Sequence, residues 1–454
     1  MPAALSRVLA DQDITTPTPI QAATLADSIG GRDVLGRGRT GSGKTYAFLL
    51  PLVTRLAGGK SARRARHPRA LILAPTRELV GQIDAALKPL ARVFGLTTTT
   101  VYGGVSQSPQ VRALRSGVDI VLACPGRLED LIAQDACRLG DVEITVLDEA
   151  DHMADLGFLP AVTRLLSQTP ANGQRLLFSA TLDRAVDGLV RRFLKRPATH
   201  EADSVQSPVT AMDHHVLHIP VAQRTPVVAD LASAPGRILV FTRTKSRARA
   251  LTKQLNAQGI PAVELHGNLN QNARARNMKL FQSGEVETLV ATDIAARGIH
   301  VDDIELVVHA DPPVEHKAYL HRSGRTARAG KAGTVITLMT DDQTRDVRTL
   351  TKAAGVRPTT TRVDTVANPI LAQLAPGQRR RSTPTVISTV PATAPRSGVP
   401  SRSGGRGPSS PRTSERPKQA PARTATPRRD RSTAASSSGR GHSAARFSSR
   451  TRSR

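Results

Sequence analysis

The chain has few residues of the types that build covalent frameworks, metal clusters or membrane spans. Of its 454 residues only two are cysteines, Trp is absent, and aromatic residues make up 2%. Cys124 and Cys137 therefore supply no disulfide framework and no metal-ligand cluster. No apolar run approaches the roughly 20 residues that a membrane helix requires. The first residues, MPAALSRVLADQDITT, lack the charged segment and apolar core of a secretory signal, so we expect a cytoplasmic location and no membrane partner.

Acidic residues are scarce relative to basic ones. The formal net charge is +27 and the sequence pI is about 11.4. An excess of this size favours nucleic acid as a partner, because basic side chains that neutralise phosphates release condensed counterions. A soluble protein with a basic tail is the alternative. The first 377 residues are also basic, which favours the nucleic-acid interpretation.

The C-terminal part differs in composition from the rest. Eighteen Lys and Arg residues follow Gly377, against Glu415 and Asp430. Residues 377–454 are rich in Arg, Ser, Thr, Pro and Gly, so they bury too little apolar surface to offset chain entropy, and we predict disorder. The segment is either an RNA-tethering arm or a solubilising tail, and its single sign of charge favours the arm.

Short apolar runs alternate with helical stretches along the first 366 residues. The runs are DVLG, ALILAPT, DIVLACPG, EITVLDEAD and RLLFSAT, then RILVFT, PAVELHG, ETLVATD, IELVVHAD and GTVITLM. Continuous apolar strands between helices predict mostly parallel sheets with helices on both faces, an α/β fold. We predict two such domains, residues 1–203 and 212–366, with HEADSVQSPVTAMDHHVLHIP as a connector followed by an edge element.

GRTGSGKT (38–45) satisfies the phosphate-loop pattern G-x-x-x-x-G-K-[ST] between an apolar strand and an apolar helix. Glycines let backbone N–H groups close around phosphate oxygens at a helix N-terminus. Lys44 is predicted to reach the β- and γ-phosphates, and Thr45 to hold Mg²⁺. Nucleotide-binding candidates are Thr40, Gly41, Ser42, Gly43, Lys44 and Thr45.

VLDEADHM (146–153) places three carboxylates at the end of a hydrophobic strand. Clustered like charges are costly unless cations compensate them. With a phosphate loop in the same chain, Asp148 is predicted to hold Mg²⁺, partly through water, and Glu149 to orient or deprotonate the attacking water.

Ten segments in order resemble the DEAD-box RNA helicases, superfamily 2 enzymes with two tandem RecA-like domains. The resemblance covers roughly residues 10–345 and rests on TPTPIQ, GRTGSGKT, PTREL, GG, CPGR, DEAD, SAT, VFTRTK, ATDIAARGIHV and HRSGRTAR. The tail resembles in composition the basic extensions of bacterial RhlE-like members. The family implies ATP and Mg²⁺ as cofactors and RNA as partner.

The resemblance also assigns roles to residues outside the phosphate loop. Gln21 is expected at the adenine edge and Asp293 at the nucleotide from the second domain, while Arg325 and Arg328 are expected as arginine fingers. The coupling residues are Ser179 and Thr181, with Asp151 linked to them or to His321.

RNA contacts are expected from both domains, to phosphates and sugars rather than bases, with RNA distinguished by its 2′-OH. In the first domain we expect loops to carry Thr76, Arg77, Gly103, Gly104, Pro125, Gly126 and Arg127. In the second the candidates are Arg243, Gly267, Gln271, Arg274 and Thr292.

The chain departs from the family pattern at several positions. Gly38 and Arg39 replace Ala-Gln in the phosphate loop, and Cys124 replaces Thr before PGR. Ile14 occupies the position of an aromatic residue in the adenine-binding segment. His152 replaces the more common Arg after DEAD. These changes affect nucleotide and RNA affinity, but no catalytic group is missing.

Three hypotheses follow. The first is an RNA-dependent ATPase that separates short duplexes or remodels RNA–protein complexes, with ribosomal precursors or mRNA-decay components among its partners. The second is a translocating DNA helicase. The third is an RNA chaperone or assembly scaffold acting mainly through the basic tail.

Overall fold

A computed structural model describes residues 2–38, 41–59, 61–201, 212–296, 303–327 and 332–382. Two seven-stranded sheets are found in this part of the chain. The strands of the first sheet are β1 Val34–Arg37, β2 Ala70–Leu73, β3 Thr98–Val101, β4 Ile120–Ala123, β5 Ile144–Leu147, β6 Gln174–Ser179 and β7 Ala198–Glu201. Its helices are α1 Ala3–Ala10, α2 Pro19–Ile29, α3 Lys44–Gly58, α4 Arg77–Arg92, α5 Ser108–Ser116, α6 Pro125–Ala133, α7 Ala150–Asp155, α8 Leu159–Leu166 and α9 Arg184–Phe193.

The second sheet repeats this plan. Its strands are β8 Met212–His218, β9 Arg237–Thr242, β10 Ala262–Leu265, β11 Thr288–Thr292, β12 Ile304–His309, β13 Gly333–Met339 and β14 Thr359–Arg362. The helices are α10 Arg224–Ala232, α11 Lys245–Ala257, α12 Gln271–Ser283, α13 Asp293–Ala296, α14 His316–Ser323, α15 Thr344–Ala353 and α16 Ile370–Leu374. Among the described residues no helix is both long and apolar enough to span a bilayer.

The strand order brings the chemical motifs together. The orders are β3-β4-β2-β5-β6-β1-β7 and β10-β11-β9-β12-β13-β8-β14, and the strand pairs of both sheets run parallel. Strand β6 therefore lies between β1, which precedes the phosphate loop, and β5, which precedes DEAD. Because parallel strands end at one edge, GRTGSGKT, DEAD and SAT meet there.

Each sheet is covered on both faces. The first separates an apolar cluster that includes Phe48 and Phe178 from a second cluster that includes Leu177 and Met153. The second sheet likewise has two large clusters, which include Val240 and Phe241 respectively, and a small third one at Val216 and Met339. The prediction of an α/β fold with two RecA-like domains is confirmed.

Two expectations about the chain's course are corrected. Strand β8 was predicted at an edge but pairs with β13 on one side and β14 on the other, because the unpredicted β14 adds to the sheet outside it. Residues 377–382, assigned to the disordered tail, contact the second domain. Arg379 binds Asp230 at 2.8 Å, and the Ser382 N–H donates to the Gly259 carbonyl at 2.7 Å. Residues 383–454 lie outside the described part of the chain.

Candidate functional site

Hydrogen bonds connect the phosphate loop internally and to strand β6 of the sheet. Gly41 and Gly43 have φ of 90° and 91°, in the left-handed region that favours glycine. The buried Lys44 donates from Nζ to the Gly38 carbonyl at 2.6 Å, and the Gly38 N–H donates to the Ser179 carbonyl at 3.1 Å. Thr45 lies one residue into α3, where its backbone N–H adds to the helix N-terminus. Predicted Thr40 lies outside the described residues.

Gln21 connects the TPTPIQ segment to this loop. Its Oε1 accepts from the Thr18 N–H at 3.0 Å, capping α2, and its Nε2 donates to the Gly43 carbonyl at 2.9 Å. The fit is close: a Cβ at Gly43 would lie 2.5 Å from Thr18 Oγ1 and 2.7 Å from Gln21 Nε2. Glycine is thus required at 43 for both conformation and space. The predicted adenine contact of Gln21 stays a prediction.

Asp148 is a buried carboxylate at the end of β5. Its backbone N–H donates to the Leu73 carbonyl, and its Oδ1 accepts from the Glu149 N–H, both at 3.0 Å. Burial raises the pKa of Asp148 to about 7, against the opposing charge of Lys44. A buried acid with this shift is a suitable ligand for a cation, because a cation would restore its charged form.

Glu149 has the opposite electrostatic setting. It adopts φ 51°, in the left-handed region that non-glycine residues rarely occupy, and directly precedes α7. Burial alone raises its pKa, but the hydrogen bond between His152 Nδ1 and Glu149 Oε2 at 3.0 Å and the charges of His152, Arg325 and Lys44 lower it to about 2. Glu149 is therefore ionised across the physiological range.

Asp151 joins DEAD to SAT. Its Oδ2 accepts from both the backbone N–H and the hydroxyl of Thr181 at 2.9 Å, and its N–H donates to Ser179 Oγ at 3.2 Å. Ser179 Oγ in turn donates to the Thr181 carbonyl at 2.7 Å. The structure thus brings these three predicted coupling residues into one network.

Helix α14 of the second domain carries Arg322 and leads into Arg325, which acts on the first domain. The buried Arg322 binds Asp293 through two hydrogen bonds of 2.5 and 2.7 Å, which orients both side chains. Arg325 is also buried, and its charge acts on Glu149 of the first domain. His321, Asp293, Arg322 and Arg325 line one small cavity of about 10 Å³. Predicted Arg328 lies outside the described residues.

Most first-domain RNA candidates lie at helix starts, while Gly103 and Gly104 lie in the loop between β3 and α5. Arg77 begins α4 and Thr76 caps it by accepting from the Leu79 N–H at 3.3 Å, while Pro125, Gly126 and Arg127 form the first turn of α6. The loop prediction holds for Gly103 and Gly104 but was wrong for Arg77, Pro125, Gly126 and Arg127, because the chain enters a helix directly after β2 and β4. These helix starts can bind anions such as phosphates, because the first N–H groups of a helix have no hydrogen-bond partner within the helix.

Several candidates from the two domains contact one another. Arg77 Nη1 donates to Gln271 Oε1 at 3.0 Å, and Arg274 Nε donates to Glu78 Oε1 at 2.7 Å. Gly104, with φ 79°, lies so close that a Cβ would be 2.1 Å from Arg77 Nη1. These pairs hold the two domains together at the predicted RNA-binding side.

The remaining RNA candidates lie at strand ends of the second sheet. Arg243 follows β9, and its guanidinium donates to the Pro312 carbonyl at 3.2 Å. Thr292 ends β11 and is buried, whereas Gly267 after β10 and Gly103 after β3 are more accessible. All therefore share the carboxyl edges of the two sheets.

Sequence reasoning missed three partners in this site. Lys317 of α14 donates to Asp183 Oδ2 at 2.8 Å across the domains, and Glu78 binds Arg274. Asp183 caps α9 by accepting from the Ala185 and Val186 N–H groups. The sequence predicts the helix cap, because an Asp stands directly before a helical stretch. It does not predict Lys317 as the partner of that Asp in the other domain.

Comparisons with known proteins agree with this geometry. Residues 18–189 match the family model described as DEAD/DEAH box helicase, and residues 223–330 match the helicase conserved C-terminal domain. The chain is 40% identical over 365 residues to DEAD-box ATP-dependent RNA helicase 3A, chloroplastic, of Zea mays, covering 79% of this chain and 49% of the relative. It is 39% identical over 348 residues to DEAD-box ATP-dependent RNA helicase 30 of Arabidopsis thaliana, covering 76% and 59%.

The chain thus spans about half the length of the curated relatives it matches. Among solved structures, S. cerevisiae Dbp5 bound to RNA and ADP BeF3 gives a TM-score of 0.73 at 26% identity, covering 83% of this chain and 98% of that chain. With both helicase models matched in order around the phosphate loop, the DEAD segment and the HRSGR helix, the chain belongs to the DEAD-box RNA helicase family.

Proposed function

We propose that the protein is an ATP-dependent RNA helicase, in which RNA-stimulated ATP hydrolysis is coupled to domain closure, local duplex separation and remodelling of RNA–protein complexes. The observation that carries this is the convergence of Lys44, Asp148 and Glu149 of the first domain with Arg325 of the second. Arginine supplied by a second domain completes a phosphoryl-transfer site only when the domains close. The similar Dbp5 structure is bound to RNA and ADP BeF3.

The phosphate loop and the carboxylates fit ATP and Mg²⁺. Ser42 Oγ is buried within the loop with no hydrogen-bond partner among the described residues, which suits a phosphate oxygen. Thr45 and the buried Asp148 would hold Mg²⁺, whose bound charge would offset the negative charge that develops on the phosphates. Glu149 would accept a hydrogen bond from the attacking water and orient it. Lys44 and Arg325 would stabilise the charge on the γ-phosphate.

RNA would be bound across the two domains. Arg77, Arg127 and Arg243 lie at helix starts or strand ends, where guanidinium and backbone N–H groups suit phosphates and sugars. Contacts of this kind predict binding without sequence preference. Ribosomal precursors and mRNA-decay components remain proposed partners.

The finer assignments are also proposals. A cytoplasmic location rests on the sequence alone, as do the domain limits 1–203 and 212–366. The RhlE-like subtype rests on tail composition, and the plant relatives give it no support. An RNA chaperone acting through the tail is the second candidate, favoured by the basic excess beyond Gly377.

ATP hydrolysis measured with and without RNA tests the proposal. We expect RNA to raise the rate sharply and DNA to raise it much less, because 2′-OH contacts select RNA. Glu149→Gln should abolish turnover and keep ATP-dependent RNA binding. An ATPase rate indifferent to RNA would contradict the proposal.

Removing residues 383–454 distinguishes the second candidate function, an RNA chaperone acting through the tail, from the helicase. The shortened chain keeps the docked residues 377–382, so the second domain retains its contacts. A helicase core should keep RNA-stimulated hydrolysis after this removal. Loss of RNA annealing with no RNA-stimulated ATPase in either form would favour the chaperone.

A further inference from the structure

The first domain has an open cavity away from the ATP site. It has a volume of about 620 Å³ and lies between α5 and the C-terminal end of α6. Two arginines, two glutamines, two serines and one apolar residue line it, and none of these described residues is acidic: Arg112, Arg115, Gln107, Gln134, Ser108, Ser116 and Val111. A cavity of this composition suits a polyanion more than an apolar ligand.

The two arginines have no anionic partner within hydrogen-bonding reach. Arg112 and Arg115 are exposed and lie three residues apart on one face of α5, where like charges repel. Neither forms a hydrogen bond or an ion pair with a described residue. The acid beside Arg115, Asp135, is already bound by Arg66 at 2.6 Å and Arg138 at 2.8 Å. Arg112 and Arg115 therefore have no ion-pair partner of their own among the described residues, and the nearby charge of Asp135 is shared with two other arginines.

The other lining groups match phosphate and sugar oxygens. Gln107 and Gln134 lie face to face, with Nε2 of the first 3.3 Å from Oε1 of the second, and so connect α5 to the end of α6. Ser108 and Ser116 add hydroxyl groups. Amides, hydroxyls and guanidinium groups bind a nucleic-acid backbone without reading bases, whereas a protein interface normally has an apolar or aromatic centre.

The cavity begins where the predicted RNA-binding face ends. Gly103 and Gly104 are followed directly by the loop that leads into α5, and Arg127 Nη1 donates to the Val105 carbonyl in that loop at 3.4 Å. On the far side of α5 the backbone N–H of Arg66 donates to the Leu114 carbonyl at 2.8 Å, and the Arg66 side chain is paired with Asp135. A strand that leaves the clamp past this loop would therefore reach α5, which carries Arg112 and Arg115.

We propose that this cavity is a second RNA-backbone site, which binds phosphates of the strand that extends beyond the two-domain clamp. The inference rests on the proposed function, because it takes RNA as the ligand of the clamp. It assigns Arg112 and Arg115 as phosphate-binding residues. The site would add affinity for longer RNA and would leave hydrolysis on short RNA unchanged.

The test compares Arg112→Gln/Arg115→Gln with a matched control in the full chain. Arg345→Gln/Arg348→Gln removes the same charge from exposed arginines at the same spacing on α15 of the second domain. Fluorescence anisotropy would measure binding of RNAs of about 8 and about 24 nucleotides with a non-hydrolysable ATP analogue. The tail is present in every variant, so its contribution cancels.

We expect the cavity variant to bind the longer RNA on the order of 10-fold more weakly at 0.1 M salt, with a salt slope lower by about 1.4, since two single-strand phosphate contacts are lost. Binding of the short RNA and its stimulation of ATPase should not change.

Binding of the longer RNA equal to that of the control would overturn the inference. Loss of poly-L-glutamate binding with normal RNA binding would overturn it in favour of an acidic protein partner. Failure of the proposed function would instead appear as missing RNA stimulation in the unmodified chain.

Discussion

Neighbouring carboxylates in DEAD differ because their partners differ. Asp148 and Glu149 are both buried, yet burial raises the pKa of Asp148 to about 7, while the His152 hydrogen bond and nearby cations lower that of Glu149 to about 2. The sequence predicted both as site residues from their place after a strand. It could not predict that their pKa values shift in opposite directions, because the shifts depend on Lys44 and Arg325, which come from two other segments, and on the side-chain contact that His152 makes.

Gly43→Ala tests the close approach of the phosphate loop to Gln21. The φ of 91° and a Cβ only 2.5 Å from Thr18 Oγ1 should destabilise the loop by about 1–3 kcal/mol and weaken ATP binding. Urea unfolding and nucleotide titration measure the two effects. Gly58→Ala is the control, because a Cβ at the end of α3 meets no atom within 4 Å. Equal behaviour of the two variants would count against a role for Gly43.

The buried His309 should make the stability of the second domain depend on pH. It is fully buried beside Thr337, and burial with the charges of Arg322 and His214 lowers its pKa well below 6.5. As pH falls below 6.5 the unfolded chain binds a proton that the folded chain does not, so stability decreases, by about 1.4 kcal/mol at pH 5.5.

His309→Gln should remove this contribution. Denaturant unfolding at pH 7.5 and 5.5 is expected to show a stability difference smaller by about 1.4 kcal/mol in the variant. A difference unchanged from the unmodified chain would assign the acid sensitivity to other groups.

At the scale of elements, the apolar strands were predicted from the sequence, including the edge strand β10, whereas the polar outer strands were not. The buried runs Ile144–Leu147 and Arg237–Thr242 are apolar nearly throughout, as strands covered on both faces are. The outer strands Thr98–Val101, Ala198–Glu201 and Thr359–Arg362 are polar and half-exposed, so periodicity gave no signal. They join the sheets through backbone hydrogen bonds, which composition does not encode.

Cys124 offers a test of helix capping in α6. It occupies the N-cap with extended backbone, φ −83° and ψ 137°, but makes no side-chain cap, unlike Thr76 before α4. Cys124→Thr should supply the missing acceptor and stabilise the first domain by about 0.5–1 kcal/mol. Thr76→Val, which removes an existing cap, should destabilise it by a similar amount. Thermal unfolding measures both, and no stabilisation in Cys124→Thr would show that α6 gains nothing from a hydroxyl cap.

At the scale of the molecule, the site joins two domains through contacts that no local pattern encodes. Lys44 and Asp148 were predictable because one starts a helix and the other follows a strand, whereas Arg325, after the end of α14, was expected from the family resemblance. The pairs that hold the domains, Arg274 with Glu78 and Lys317 with Asp183, join residues more than 130 positions apart. Such pairs depend on the relative placement of two independently formed sheets, which a single sequence does not specify.

Lys317 and Asp183 allow closure to be tested without changing a residue that contacts ATP. Lys317 lies on α14, which carries His321 and Arg322 and leads into Arg325, and it binds Asp183 at 2.8 Å just after SAT. The pair is partly exposed, so we expect each of Lys317→Gln and Asp183→Asn to cost only about 0.5–1 kcal/mol of closure. Asn retains the N-cap of α9, which makes Asp183→Asn a change of charge alone.

The measurement is the RNA concentration that gives half-maximal ATPase, at low and high salt. Each single variant should raise it about 2- to 5-fold at low salt, and the double variant should raise it no further, because both changes remove the same interaction. The difference from the unmodified chain should shrink at high salt, where the ion pair is screened. Additive effects in the double variant would mean that the two residues act independently and not as a pair.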